Sequence, residues 1–78
     1  MATITERVIG ILAEHFCRSV NEIDLSADLS QAYESDSLDL LELTMCVEDE
    51  FGIEIDDETM RSVKTGQQIV DIVRAKGV

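Results

Sequence analysis

Proline and tryptophan are absent from this 78-residue chain, glycine occurs four times and aromatic residues make up 4% of it. With so few turn-forming residues, the many tight connections of a strand-rich sandwich or barrel are hard to build. Basic residues are scarce as well: six Lys and Arg stand against seventeen Asp and Glu, a formal charge of −11. Such a field repels phosphate backbones and anionic lipid surfaces, so nucleic acid is a poor partner. No apolar run approaches the ~20 residues needed to cross a bilayer, and residues 1–7 hold no basic stretch leading into an apolar one. The expectation is a cytoplasmic protein without a membrane span. Cys17 and Cys46 lie in helical patterns with no Cys or His at metal-ligand spacing. They read as buried or half-buried thiols in a reducing compartment, and no metal site is expected.

What the chain does contain is Leu, Ile, Val, Glu and Asp in helical order. The length allows one domain, taken as residues 1–78, with a small core. Thr3 and Glu6 have capping-box spacing, and Ile4, Val8, Ile11, Leu12 and Phe16 recur at helical intervals, predicting a first helix over about 4–16. The stretch to Asp36 is rich in Ser, Asp and Asn; its apolar residues Val20, Ile23, Leu25 and Leu29 predict a long loop pinned to the core. A second helix is expected from Ser37 to Phe51 with Gly52 as its stop. Ile53 and Ile55 bracket a short extended step, Asp56 or Asp57 opens a brief helix to about Ser62, and Thr65 with Gln68 caps a last helix ending at Gly77. The expected fold is all-α, a small four-helix bundle of three main helices and one short one, with a long first loop.

The second helix carries two apolar faces. At 100° per residue Leu40, Leu43, Val47 and Phe51 share one narrow face, while Leu38, Leu41 and Met45 form a second cluster roughly 130° away. A helix that only covers a core needs one stripe. The second must cap a cavity, touch the loop or meet a partner. Glu42, Glu48 and Asp49 flank it, and an apolar ridge rimmed by carboxylates suits a basic partner with a shallow apolar pocket.

The tetrapeptide Asp36-Ser37-Leu38-Asp39 puts a hydroxyl at a helix start, where free N–H groups and the dipole favour an attached phosphodiester. Ser and Asp are also the commonest N-caps, and taken alone the tetrapeptide reads as an ordinary cap. Its continuation, DSLDLLELTMCVEDEFGIEIDDE, resembles the central signature of acyl carrier proteins: Asp-Ser-Leu, a Glu-Leu-x-Met helix and an acidic-Phe end. The resemblance extends over nearly the whole chain, through Thr3 to Val8, Ile23, Leu29, Val63, Val70 and Val73.

This resemblance implies a discrete, monomeric carrier that is not an enzyme. A separate phosphopantetheinyl transferase, using coenzyme A and magnesium, would load Ser37 with 4'-phosphopantetheine, whose thiol holds acyl groups as thioesters. It further implies that Asp36 helps the transferase recognise the site. Leu38, Asp39, Leu41, Glu42, Met45 and Glu48 would contact acyl-transferring, condensing or acyl-ligase enzymes of fatty-acid or specialised lipid and polyketide synthesis, enzymes that present basic docking patches. An aminoacyl or peptidyl carrier has the same arm, but usually Gly-Gly before the serine; an acidic interaction module without a prosthetic group is the other class to weigh. The chain departs from the pattern at Tyr33 and Glu34, where Leu-Gly is common, at Asp56, where Pro is common, and at Gly66, where an apolar residue is usual. Glu34 implies an altered path into Ser37. Tyr33 caps the loop or replaces the leucine in gating a cavity, and His15 is expected to meet terminal carbonyls or solvent.

Overall fold

The capping boxes anticipated at Thr3 and Thr65 form, and they set where the first and last helices begin. A computed structural model describes residues 3–77; Met1, Ala2 and Val78, the ends of the expected domain, lie outside them. Thr3 Oγ1 accepts from Glu6 N at 3.1 Å while Thr3 N donates to Glu6 Oε1 at 3.2 Å, opening α1, Ile4–His15. Thr65 and Gln68 repeat this reciprocal arrangement at the start of α5, Gly66–Ala75. Between them lie α2 (Leu29–Ala32), α3 (Ser37–Phe51) and α4 (Asp57–Ser62), and no strand is present among the described residues. The molecule is thus the all-α bundle expected, with two extra helical turns inside the long loop, a 3-10 turn over Val20–Glu22 and α2.

Val8, Leu12, Leu43, Val47, Val70 and Val73 have no exposed surface, so α1, α3 and α5 bury one apolar stripe each against the others. Gly52 ends α3 in the left-handed conformation at φ 64°, and Ile53 N returns to Glu48 O at 3.1 Å. α1 ends in the same way with less suitable residues: Phe16 caps it, Cys17 takes φ 55°, and Arg18 N reaches Ala13 O at 2.9 Å. Cys17 therefore lies beyond the helix, and both it and Cys46 are free and exposed, contrary to the buried or half-buried thiols expected. Cys46 falls outside the buried stripe of Leu43, Val47 and Phe51 on α3.

The long loop is held by side-chain and backbone hydrogen bonds as well as by apolar contact. Leu29 is fully buried and Ile23 and Leu25 pack on the core, but Val20 is 57% exposed and pins nothing. Leu29 N donates to Lys64 O at 2.7 Å and Gln67 N to Leu25 O at 2.9 Å, tying the loop to the α4–α5 junction. Asp28 Oδ1 caps α2 by accepting from Ser30 N and Gln31 N. Tyr33 serves as a loop clamp: its hydroxyl accepts from Asp24 N at 3.0 Å and its ring stacks on Phe16 at 4.7 Å.

Two departures from the resembled pattern acquire physical reasons. Glu34 sits at φ 54°, so the backbone takes here the left-handed conformation that glycine favours, although the residue is not glycine. A Cβ on Gly66 would lie 2.8 Å from Leu25 Cδ2 and 2.9 Å from Leu12 Cδ1; these two leucines occupy the place of a side chain there.

Candidate functional site

Ser37 is the first residue of α3, and Asp36 is its N-cap. Asp36 Oδ1 accepts from Asp39 N at 2.9 Å, and Asp36 N donates to Asp39 Oδ2 at 3.3 Å. The capping work that the tetrapeptide could have assigned to Ser37 is therefore done by the two aspartates. The Ser37 hydroxyl is exposed and makes no hydrogen bond among the described residues. The Ser37 and Leu38 N–H groups likewise have no described acceptor, leaving two donors and the positive end of a 15-residue helix beside that hydroxyl. Two residues before Ser37, Ser35 is 7% exposed and donates its hydroxyl to Leu29 O at 2.9 Å, fixing the approach of the loop. Sequence reasoning missed Ser35. A buried serine directly before the Asp-Ser pair gives no periodic signal.

Leu38, Leu41 and Met45 are 61%, 43% and 53% exposed. Of the three readings left open for this cluster, packing beneath the long loop is excluded. Glu42 and Asp49 stand exposed beside it. Glu48 does not join them: it is half-buried, and its Oε2 accepts from Ile55 N at 2.8 Å, so it braces the α3–α4 connection. Asp39 is also half-buried and committed to the cap. The exposed ridge thus consists of Leu38, Leu41, Glu42, Met45 and Asp49, smaller than the set the sequence suggested.

Ser37 also stands on the lip of a groove of about 490 Å³ between α3 and α4, lined by Leu38, Leu40 and Leu41 on one side and Asp57, Met60, Arg61 and Val63 on the other. The α4 wall was not anticipated as part of a site, although Met60 and Val63 have the i, i+3 spacing of one helix face. α4 starts at its own cap, Asp56, whose carboxyl is held below the usual aspartate range mainly by the Thr59 hydroxyl. Among the described residues no group of three or more His, Cys, Asp or Glu is placed to hold a metal ion, and no helix is long and apolar enough to cross a membrane.

A phosphodiester-linked arm requires an exposed hydroxyl with open space around it and no competing hydrogen bond. Ser37 meets these requirements, and free N–H groups lie beside it. Residues 6–73 match the family model of the phosphopantetheine attachment site. An acyl carrier protein from Enterococcus faecalis has a similar structure, with a TM-score of 0.76, 26% sequence identity, and coverage of 92% of this chain and 91% of that one. The chain belongs to the phosphopantetheine-attachment family of acyl carrier proteins, whose prosthetic group is a covalent 4'-phosphopantetheine.

Proposed function

We propose, with that membership as the premise, that Ser37 bears the arm and that the chain ferries acyl groups between enzymes of fatty-acid or related specialised lipid or polyketide synthesis. The observation that carries this reading is the exposed, uncommitted Ser37 hydroxyl at the start of α3, on the edge of an apolar groove. On loading, Ser37 Oγ bonds to the phosphorus on the pantetheine side of coenzyme A. The bond from that phosphorus to the adenosine bisphosphate breaks, and the hydroxyl proton passes to a base on the transferase. Among the described residues no side chain hydrogen-bonds to Ser37, which fits activation supplied in trans.

The bound arm supplies a thiol on a flexible tether, which keeps a thioester at high effective concentration wherever the carrier docks. The chain's own residues do the rest. Asp36 and Asp39 fix the helix start, so the hydroxyl projects from a defined place. Leu38, Leu41 and Met45 offer apolar area to an enzyme, and Glu42 and Asp49 attract its basic rim. Net charge of −11 accelerates that encounter at low salt. Acting as a single monomeric domain in the cytoplasm, the chain would itself catalyse nothing.

Intact-mass measurement after incubation with coenzyme A, magnesium and a broad-specificity phosphopantetheinyl transferase tests the assignment. One phosphopantetheinyl group is expected on the wild-type chain and none on Ser37→Ala. An unmodified wild-type chain, or a modified Ser37→Ala, overturns it. Loading by a fatty-acyl ligase and not by an amino-acid-activating enzyme separates an acyl carrier from an aminoacyl carrier.

A further inference from the structure

The cations of this chain are few, and among the described residues three of the six Lys and Arg side chains are engaged. Arg7 pairs with Glu50 at 2.8 Å, and its guanidinium lies 4.4 Å from the centre of the Phe51 ring. Arg18 lies 4.0 Å from Glu22, and Arg74 donates to Thr5 Oγ1 at 3.3 Å. Among the described residues Arg61, Lys64 and Lys76 have no side-chain ion pair, hydrogen bond or cation–π contact, in a protein with seventeen carboxylates, and of the three only Arg61 borders the groove beside Ser37. Asp57, one turn earlier on α4 and on the same groove wall, does not form an ion pair with it.

Arg61 also lines the same groove as Ser37. A phosphodiester on Ser37 would add a further negative charge to a protein already at −11, next to Asp36 and Asp39. In that field the favourable position for the phosphate is toward the helix N–H groups and toward whatever cation borders the groove. We infer that Arg61 is the positioning residue for the arm: its guanidinium receives the phosphodiester and draws the first segment of the arm into the α3–α4 groove, against Met60 and Val63. The inference rests on the carrier reading of Ser37 and deepens it. A guanidinium suits the task because it stays charged and presents several donors to a phosphate.

An exposed ion pair of this kind contributes about 0.2–1 kcal/mol, so removing it should lower groove occupancy roughly 1.4- to 5-fold. Salt should do the same, because the Debye length falls to about 3 Å at 1 M.

The test uses full-length apo and holo protein, wild type with Arg61→Gln and Arg61→Lys, the mass of each confirming the arm. Isotope-filtered NMR reads contacts between the arm's geminal methyls and the Met60 and Val63 methyls, together with the Arg61 Nε–H resonance. Loading should shift the Arg61 resonance and produce the methyl contacts. Those contacts should weaken 1.4- to 5-fold in Arg61→Gln, persist in Arg61→Lys at low salt and fade at 1 M salt. An Arg61 resonance identical in apo and holo protein, or contacts indifferent to Arg61→Gln, overturns the inference while leaving the carrier reading intact. Failure of the wild-type chain to acquire the arm overturns both.

Discussion

The two faces of α3 use the same vocabulary for opposite ends. Leu43 and Val47 are completely buried and Thr44 is 1% exposed with its hydroxyl turned back to Leu41 O, whereas Leu38, Leu41 and Met45, also on α3, are about half exposed. Burying a leucine contributes about 1.5–3 kcal/mol relative to leaving it in water. The inner face therefore holds the bundle together, and the outer face forgoes that gain on three large side chains in succession. A small domain with a limited core leaves such area uncovered at a cost in solubility; the carboxylates around it offset that cost and, in the carrier reading, serve recognition.

The largest way to sharpen the contrast is to cut the inner face. Leu43→Ala should lower the unfolding free energy by about 2–5 kcal/mol, a loss near the whole stability expected for a chain of this size, measured by urea denaturation. If that loss were below 1 kcal/mol, the inner face would not be the structural one. Next comes the junction of the two faces, the cap. Asp36→Ala removes the acceptor for Asp39 N and should cost about 1 kcal/mol, a melting temperature drop of roughly 4–8 °C by calorimetry. It should also slow transfer of the arm to Ser37, since the helix start frays.

Glu34→Gly acts in the opposite direction. Its left-handed backbone, φ 54°, penalises a side chain, so glycine should raise stability by up to ~1 kcal/mol after the greater freedom of the unfolded chain is subtracted. A neutral or destabilising outcome would mean that the Glu34 side chain makes a compensating contact. The neighbouring loop has its own pH signature. The Ser30 hydroxyl, then the Gln31 amide, lower the Asp28 pKa below its ordinary 3.8. A depressed folded value stabilises the loop at higher pH, and that contribution is lost as pH falls through the folded value. Amide chemical shifts of Ser30 and Gln31 should therefore titrate below 3.8, and those shifts should stay constant with pH in Asp28→Asn.

These comparisons also show what the amino-acid order could and could not tell. Both stripes of α3 were legible from their 100° periodicity, and so were the caps at Thr3 and Thr65, because each depends on residues three apart; the Asp36–Asp39 box was not distinguished from a cap by Ser37. Periodicity does not say which of two stripes faces inward; that depends on where α1 and α5 pack. The clamps of the long loop were illegible for the same reason. Tyr33 to Asp24, Leu29 to Lys64 and Gln67 to Leu25 join residues that no local pattern links. The Ser37 hydroxyl could be located from its neighbours, whereas the opposite wall of its groove, with Arg61, exists only through the placement of α4 against α3.

The smallest expected change in stability falls on the outer face, and it is the one that divides structure from function most sharply. Leu41→Ala and Met45→Ala remove side chains that are 43% and 53% exposed, so each should alter the unfolding free energy by no more than ~0.5 kcal/mol. Truncating an anchor buried at a partner's surface instead costs about 1–2 kcal/mol of binding, or roughly 5- to 30-fold in affinity. Titration of a basic partner enzyme, followed by calorimetry at low salt, should show that loss while urea unfolding stays at the wild-type midpoint. Glu42→Lys should chiefly slow association, and its effect should shrink as salt rises, because a rim charge acts at a distance that ions screen. If the two alanine variants unfolded as readily as Leu43→Ala, the outer stripe would be a second piece of core, and α3 would have no face left over for a partner.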